Sequence, residues 1–98
     1  MVVGLVHEPD GDWHVDLKPS RESRELADAR NRTAVGGALV TEIMPSQELP
    51  VPTLGEPVSV FGTWVHDRSH GWNEIHPIWA IRYLDRDRTV VSVPQPAA

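Results

Sequence analysis

The chain has 98 residues, enough for one domain with a single modest core. Nine basic and fourteen acidic side chains give a net charge of −5, which argues against nucleic-acid binding, because that function relies on Lys and Arg to neutralise phosphates. The absence of cysteine excludes disulfides and thiolate zinc sites. No apolar run is long enough to cross a membrane, and the first residues lack a signal-peptide pattern, so the sequence predicts a soluble protein.

The first half of the chain is predicted to contain three strands. Residues 2–8 and 13–18 form a hairpin around the turn-forming segment 9–12, and the second of these strands alternates apolar and polar residues. Residues 20–32 are polar and charged, and this pattern fits a short helix and an ordered loop equally well. Residues 38–44 are the third predicted strand.

The second half is predicted to hold the remaining strands. Residues 45–57 include four prolines, which indicates an extended surface connection. Gly62 lies inside a strand pattern and indicates a bulge or sharp bend. Pro77 is expected to break the fifth strand into two halves. The predicted strands of this half are 58–66, 72–76, 78–84 and 89–93.

This series of elements predicts a mainly β fold, a small OB-like β-barrel of five to six strands with at most one short helix. Residues 1–93 form the single domain and residues 94–98 a flexible tail. In an OB-fold a helix usually follows the third strand. In this chain the proline-rich segment 45–57 follows the third strand instead. An exposed edge strand on so small a barrel favours a homodimer.

The segment 66–77 carries three of the chain's five histidines. Imidazole and carboxylate side chains bind divalent metals and transfer protons. In an OB-like barrel the loops 9–12 and 67–71 flank one ligand face, so we expect the first hairpin to contribute to the same site. The predicted metal ligands are His14, His66, His70 and His76. Zinc is the preferred ion, with manganese and iron as alternatives, because the ligands supply nitrogen and oxygen without thiolates.

Other side chains near this segment receive further roles. Glu74 and Asp67 are the predicted general bases, and Trp72 and Asp12 are predicted to line the ligand face. The alternative is a purely structural hydrogen-bond network, in which His70 caps backbone groups of a tight turn. The remaining tryptophans, Trp13, Trp64 and Trp79, are predicted to lie in the core.

Two segments, residues 10–17 (DGDWHVDL) and 64–77, which ends in HGWNEIHP, together resemble a family of small uncharacterised bacterial domains, mainly actinobacterial. These domains share a D-G-D-W-H hairpin and an H-G-W-x-E-I-H-P motif. The resemblance includes the rarest residues of the chain. It implies no activity and transfers no catalytic residue.

Three functions are consistent with these patterns. The first is a metal-binding domain that supports hydrolysis, because an open position on a metal polarises a phosphoryl or carbonyl oxygen and acidifies a bound water. The second is a non-catalytic binding module for a partner protein, an oligosaccharide or a small molecule, with the His and Trp motif in a structural role. The third, single-stranded nucleic-acid binding, has aromatic residues for stacking but lacks a cationic groove.

Overall fold

A computed structural model describes residues 1–34 and 36–93, so the expected flexible tail at 94–98 lies outside the described residues. The described chain is mainly β, as predicted. Its strands are β1 (Val2–His7), β2 (Trp13–Leu17), β3 (Leu39–Ile43), β4 (Val58–Asp67), β5 (Trp72–Tyr83) and β6 (Arg88–Val91). A 3-10 helix (Arg21–Leu26) and the short helix α1 (Ala29–Ala34) separate β2 from β3, and a 3-10 turn (Leu84–Arg86) precedes β6. No helix in the described ranges has the length and apolarity that a bilayer crossing requires.

The strands form one sheet in the order β1-β2-β3-β5-β4, and β6 pairs with β5 outside this path. The β3–β5 pair is parallel and the others are antiparallel. The closed OB-like barrel that we predicted is not confirmed, because β1 and β4, at the two ends of the order, share no ladder in the described residues. The segment before β4 takes the place of that ladder: Val2 N donates to Glu56 O at 3.0 Å, and Gly55 N donates to Val2 O at 2.7 Å.

Strand β5 runs unbroken through Pro77, so the predicted division into two halves is wrong. Its neighbour on one edge is β3 at Glu74 and Ile75, and then β6 from Ala80 onward. Pro77 lies between these two ladders, where its missing N–H removes no ladder bond on that edge. On the other edge the register with β4 shifts on both sides of Gly62, which confirms the predicted bulge. A side chain at Gly62 would collide with the Pro77 carbonyl oxygen.

The hydrophobic core covers one face of the sheet. Residues of β4 and β6 are only partly buried and pack against this core. Its buried members come from the other four strands and from the connection before β4. They are Val2, Val15, Leu17, Ile43, Leu49, Ile78, Ile81 and Tyr83. Because side chains alternate along a strand, the residues between these core positions face the opposite side of the sheet.

The prediction that all three remaining tryptophans lie in the core is wrong for two of them. Trp13 packs against the core, but Trp64 is 47% exposed and Trp79 is 42% exposed. Trp79 is the extra residue of the bulge, since Ala80 and Ile78 pair with successive residues of β4, and this position turns its ring outward. Trp64 lies on β4, an edge strand that has a neighbour on one side only.

The polar segment between β2 and β3 contains two short helices, whereas at most one was predicted, and one buried amide fixes the segment to the sheet. The Asn31 side chain donates to the carbonyl oxygens of Ala38 at 3.0 Å and Asn73 at 2.9 Å, and it accepts from the Asn73 backbone N–H at 3.0 Å. Asp28 and Asn31 also exchange side-chain-to-backbone hydrogen bonds. Asn31 therefore ties α1 to the start of β3 and the start of β5.

Candidate metal centre

A row of three polar side chains crosses the sheet on the face opposite the core. Val15 and Leu17 point into the core, so His14 points away from it, and the β2–β3 register places His14 directly opposite Glu42. The parallel register pairs Val40 with Glu74, and two residues further along both strands Glu42 lies beside His76. We call His14, Glu42 and His76 the His–Glu–His row.

Glu42 is the centre of this row, and each of its carboxylate oxygens faces a different imidazole. Oε1 makes a very short contact with His14 Nε2, and Oε2 lies 2.7 Å from His76 Nδ1. The Glu42 side chain is only 9% exposed. Despite its closeness to His76, Oε2 has no hydrogen bond of acceptable geometry within the described residues. A buried carboxylate oxygen without a hydrogen bond is costly, and a cation beside it would offset that cost.

Three more carboxylates surround the row. Asp12 Oδ2 lies 4.0 Å from His76 Nε2, and Glu74 Oε1 lies 3.5 Å from His76 Nδ1. Glu8 Oε1 lies 3.4 Å from His14 Nδ1. In the described part of the chain, every ion pair of these acidic groups is with a histidine, and none is with Lys or Arg. The acidic groups of the site therefore have no Lys or Arg among the described residues to balance their negative charge.

Burial makes this excess of charge more costly. Desolvation raises the pKa of Glu42, against the opposing attraction of His76 and His14. Desolvation also raises the pKa of Asp12, helped by repulsion from Asp10 and opposed mainly by His76. Burial likewise raises the pKa of Asp16, whose carboxylate lies over Gly4 on β1. These carboxylates are held in surroundings that disfavour their charge.

The arrangement brings three metal-binding side chains close together. One ligand atom each from Asp12, Glu42 and His76 lies within 4.8 Å of the others. A tetrahedral zinc site with bonds of about 2.1 Å separates its ligand atoms by about 3.4 Å. Moving the ligand atoms closer together by up to about 1.4 Å, within the reach of side-chain rotation, would bring the three groups to that geometry. His14 is already in contact with Glu42.

Some of the predicted site residues therefore lie together at this site, and others do not. His14, His76, Asp12 and Glu74 meet around Glu42. His66 points to the other face of the sheet, because it pairs with Asn73, and its Nδ1 lies 2.8 Å from Asn73 Oδ1 and 3.8 Å from Asp28 Oδ2. The structure does not bring His66 to the predicted metal site.

Asp67 and His70 form their own pair in the turn between β4 and β5. His70 Nδ1 lies 2.6 Å from Asp67 Oδ2, and Ser69 donates its hydroxyl and backbone hydrogens to Asp67 Oδ1 at 2.7 and 2.9 Å. The hydrogen bonds from Ser69 and then His70 hold the pKa of Asp67 well below its usual range. The geometry is that of a hydrogen-bonded turn, and no contact of this pair in the described residues reaches Glu42.

Trp72 connects that turn to the His–Glu–His row. Its ring stacks on His70 with centroids 4.2 Å apart, and its Nε1–H donates to Glu74 Oε2 at 2.9 Å. The other oxygen of Glu74 faces His76. Trp72, Glu74 and His76 therefore share one face of the strand.

Sequence reasoning missed Glu42, the central residue. The signal available was a glutamate inside an otherwise apolar strand pattern, 38–44, because a buried acid needs a partner. Finding that partner requires the β2–β3 register and the β3–β5 pairing, which local patterns do not supply.

Comparison of the chain with protein families, with curated proteins and with solved structures found no match in any of the three. The resemblance to small actinobacterial domains therefore stays a prediction.

Proposed function

We propose that the protein binds a divalent metal ion through three ligands, Asp12, Glu42 and His76, while His14 stays paired with Glu42 and orients its carboxylate. The observation that carries this proposal is the buried Glu42 carboxylate, whose Oε2 has no hydrogen bond in the described residues and whose charged neighbours are acids and histidines. A divalent cation supplies the missing positive charge and converts a costly buried anion into a ligand. Zinc suits this nitrogen and oxygen ligand set best, and manganese is the second choice.

The orientation of His76 supports the proposal. Both of its ring nitrogens face carboxylates, Nδ1 towards Glu42 and Glu74 and Nε2 towards Asp12. When one nitrogen of a histidine binds a metal, the other usually donates to a carboxylate, which fixes the ring and increases its basicity. Glu74, which is not a proposed ligand, lies beside Nδ1, so this pairing is available when Nε2 binds the ion.

Hydrolysis is the reaction that such a centre supports best. Three protein ligands leave a coordination position for water, and the centre reaches the surface because His76 is 38% exposed. Among the acidic groups that are not proposed ligands, Glu74 lies nearest to His76, at 3.5 Å, so the role of general base falls to Glu74 rather than to Asp67. The acidic face also argues against single-stranded nucleic acid as the ligand.

Calorimetric titration of the metal-free protein with Zn²⁺ and with Mn²⁺ tests the proposal. We expect saturable binding of one ion per chain, and we expect Glu42→Gln, which keeps the shape and removes the charge, to weaken binding by more than about 100-fold. Glu48→Gln is the matched control, because Glu48 is exposed and lies outside the site. The alternative, a structural hydrogen-bond network, predicts that neither metal nor EDTA alters the melting temperature and that Glu42→Gln only lowers stability.

A further inference from the structure

A cavity of about 550 Å³ opens on the core face of the sheet, on the opposite side from the His–Glu–His row. Its floor includes the buried Leu17 and Leu39 and the half-buried Val60 and Ile75. The cavity lies where the sheet stays open, between the end of β2 and the start of β4. Its volume is within the range of roughly 300–1,000 Å³ that is typical of small-molecule sites.

Part of the rim of this cavity is also apolar. Met1, Leu26 and Leu84 all line it, and they are 51%, 43% and 46% exposed. Single exposed apolar residues are ordinary on a protein surface, but these three line one cavity and add an apolar patch to its floor. Such patches mark binding sites, because water is displaced from them at little cost.

The charge at the cavity differs from that of the rest of the chain. The chain carries a net charge of −5, yet no Asp or Glu of the described residues lines this cavity, whereas Lys18, the only lysine in the sequence, does. Ser20 and Ser23 lie beside it, and the Ser20 hydroxyl donates to Ser23 Oγ at 3.2 Å, which leaves the Ser23 hydroxyl hydrogen to donate elsewhere. One side of the opening therefore offers hydrogen-bond donors and a positive charge, and the floor offers apolar surface.

We propose that this cavity binds a monocarboxylate with an unbranched apolar tail, such as a medium-chain fatty acid. The tail lies against Leu17, Leu39 and Ile75, and the carboxylate meets Lys18 and Ser23. The acidic surface elsewhere on the chain repels such an anion, so the cavity is the place where its charge and its tail are both accommodated. This proposal is independent of the metal centre.

Calorimetric titration with hexanoate, octanoate and decanoate, each below its micelle concentration, tests the proposal. We expect one site per chain, with affinity rising about 15-fold for each pair of added methylenes, which corresponds to about 0.8 kcal/mol per buried CH₂. Decylammonium, with the same tail and the opposite charge, binds more weakly than decanoate. Decanoate also slows acetylation of the Lys18 amine, which mass spectrometry follows at a single side chain because the sequence has no other lysine.

Two variants separate the anion contact from the apolar one. Lys18→Met weakens decanoate binding about fivefold, the effect of an exposed charge pair worth about 1 kcal/mol, and Arg68→Met, which removes an exposed positive charge elsewhere, leaves binding unchanged. Leu26→Asp, at an exposed rim position, weakens binding further while circular dichroism shows the native fold. Equal binding of decanoate and decylammonium, or equal effects of the Lys18 and Arg68 variants, would overturn the proposal. The absence of saturable one-to-one binding would also overturn the proposal. One such case is a dimer that covers the cavity, which sedimentation would detect and Leu26→Asp would dissociate.

Discussion

Replacing Trp72 by Phe isolates one hydrogen bond beside the proposed metal centre. The indole Nε1–H donates to Glu74 Oε2 at 2.9 Å, and the Glu74 side chain is only 5% exposed. Phenylalanine keeps an aromatic ring against His70 but has no N–H. The variant therefore leaves a buried carboxylate oxygen without its donor and changes little else.

The size of the effect follows from these contacts. A hydrogen bond to a charged group contributes about 1.5–3 kcal/mol, and removing one partner of a buried pair costs at least as much. For a domain of this length, about 2 kcal/mol corresponds to a fall of roughly 8–16 °C in melting temperature. Trp72→Ala also removes the stacked ring. Because that ring is only half-buried, we expect the further loss of unfolding free energy to stay below the roughly 3–5 kcal/mol that truncation of a fully buried aromatic side chain costs.

Thermal and urea denaturation followed by circular dichroism measure this loss. Trp79→Phe is the matched control, because Trp79 is exposed and its indole N–H makes no hydrogen bond within the described residues. The reasoning is refuted if the Trp72 and Trp79 variants melt at the same temperature, since the Trp72–Glu74 hydrogen bond then contributes nothing to stability.

Two further predictions concern the histidines and an ion pair far from the site. At a zinc concentration of 100 times Kd the native state gains about 2.7 kcal/mol, a thermal shift that we expect His76→Ala to abolish and His70→Ala to retain. The shift of the unaltered protein should shrink as pH falls, because protons compete with the ion for its imidazole and carboxylate ligands. Equal shifts in both variants would place the ion elsewhere. Hydrogen bonds from Thr53 and a hydrogen bond from Arg86 at 2.8 Å lower the pKa of Glu56 in the folded protein. The Glu56 carboxylate therefore stabilises the fold at pH values above its pKa in the unfolded chain, and this contribution is lost as the pH falls through the lowered pKa of the folded state. Glu56→Gln should therefore lower the melting temperature at pH 7 and match the parent protein well below pH of about 4.3, and a difference that is constant with pH would contradict this assignment.

The parts of this protein that could be predicted from sequence are those that depend on local alternation. The period-two pattern of β2 placed His14 opposite the core, and the same period in β5 placed Glu74 and His76 on one face. Both follow from the geometry of a single strand.

The features that sequence did not predict depend on how distant strands meet. Glu42 becomes the centre of the site only through its cross-strand neighbours on β2 and β5. His66 faces away because the β4–β5 register pairs it with Asn73. Trp79 is exposed because the bulge opposite Gly62 takes up the residue before Ala80, and no local pattern gives that position.

The parallel pairing of β3 with β5 has a consequence for folding. The β1–β2 and β4–β5 ladders join neighbouring segments, whereas the pairing of Val40 with Glu74 joins residues more than thirty positions apart. Chain entropy delays such long-range contacts, so we expect the two hairpins to form early and their union through β3 to come late. Neither hairpin alone contains the whole His–Glu–His row, because His14 belongs to the first, His76 to the second and Glu42 to the strand between them. The row therefore arises at the last major step of folding, and nascent or partly folded chains do not possess it.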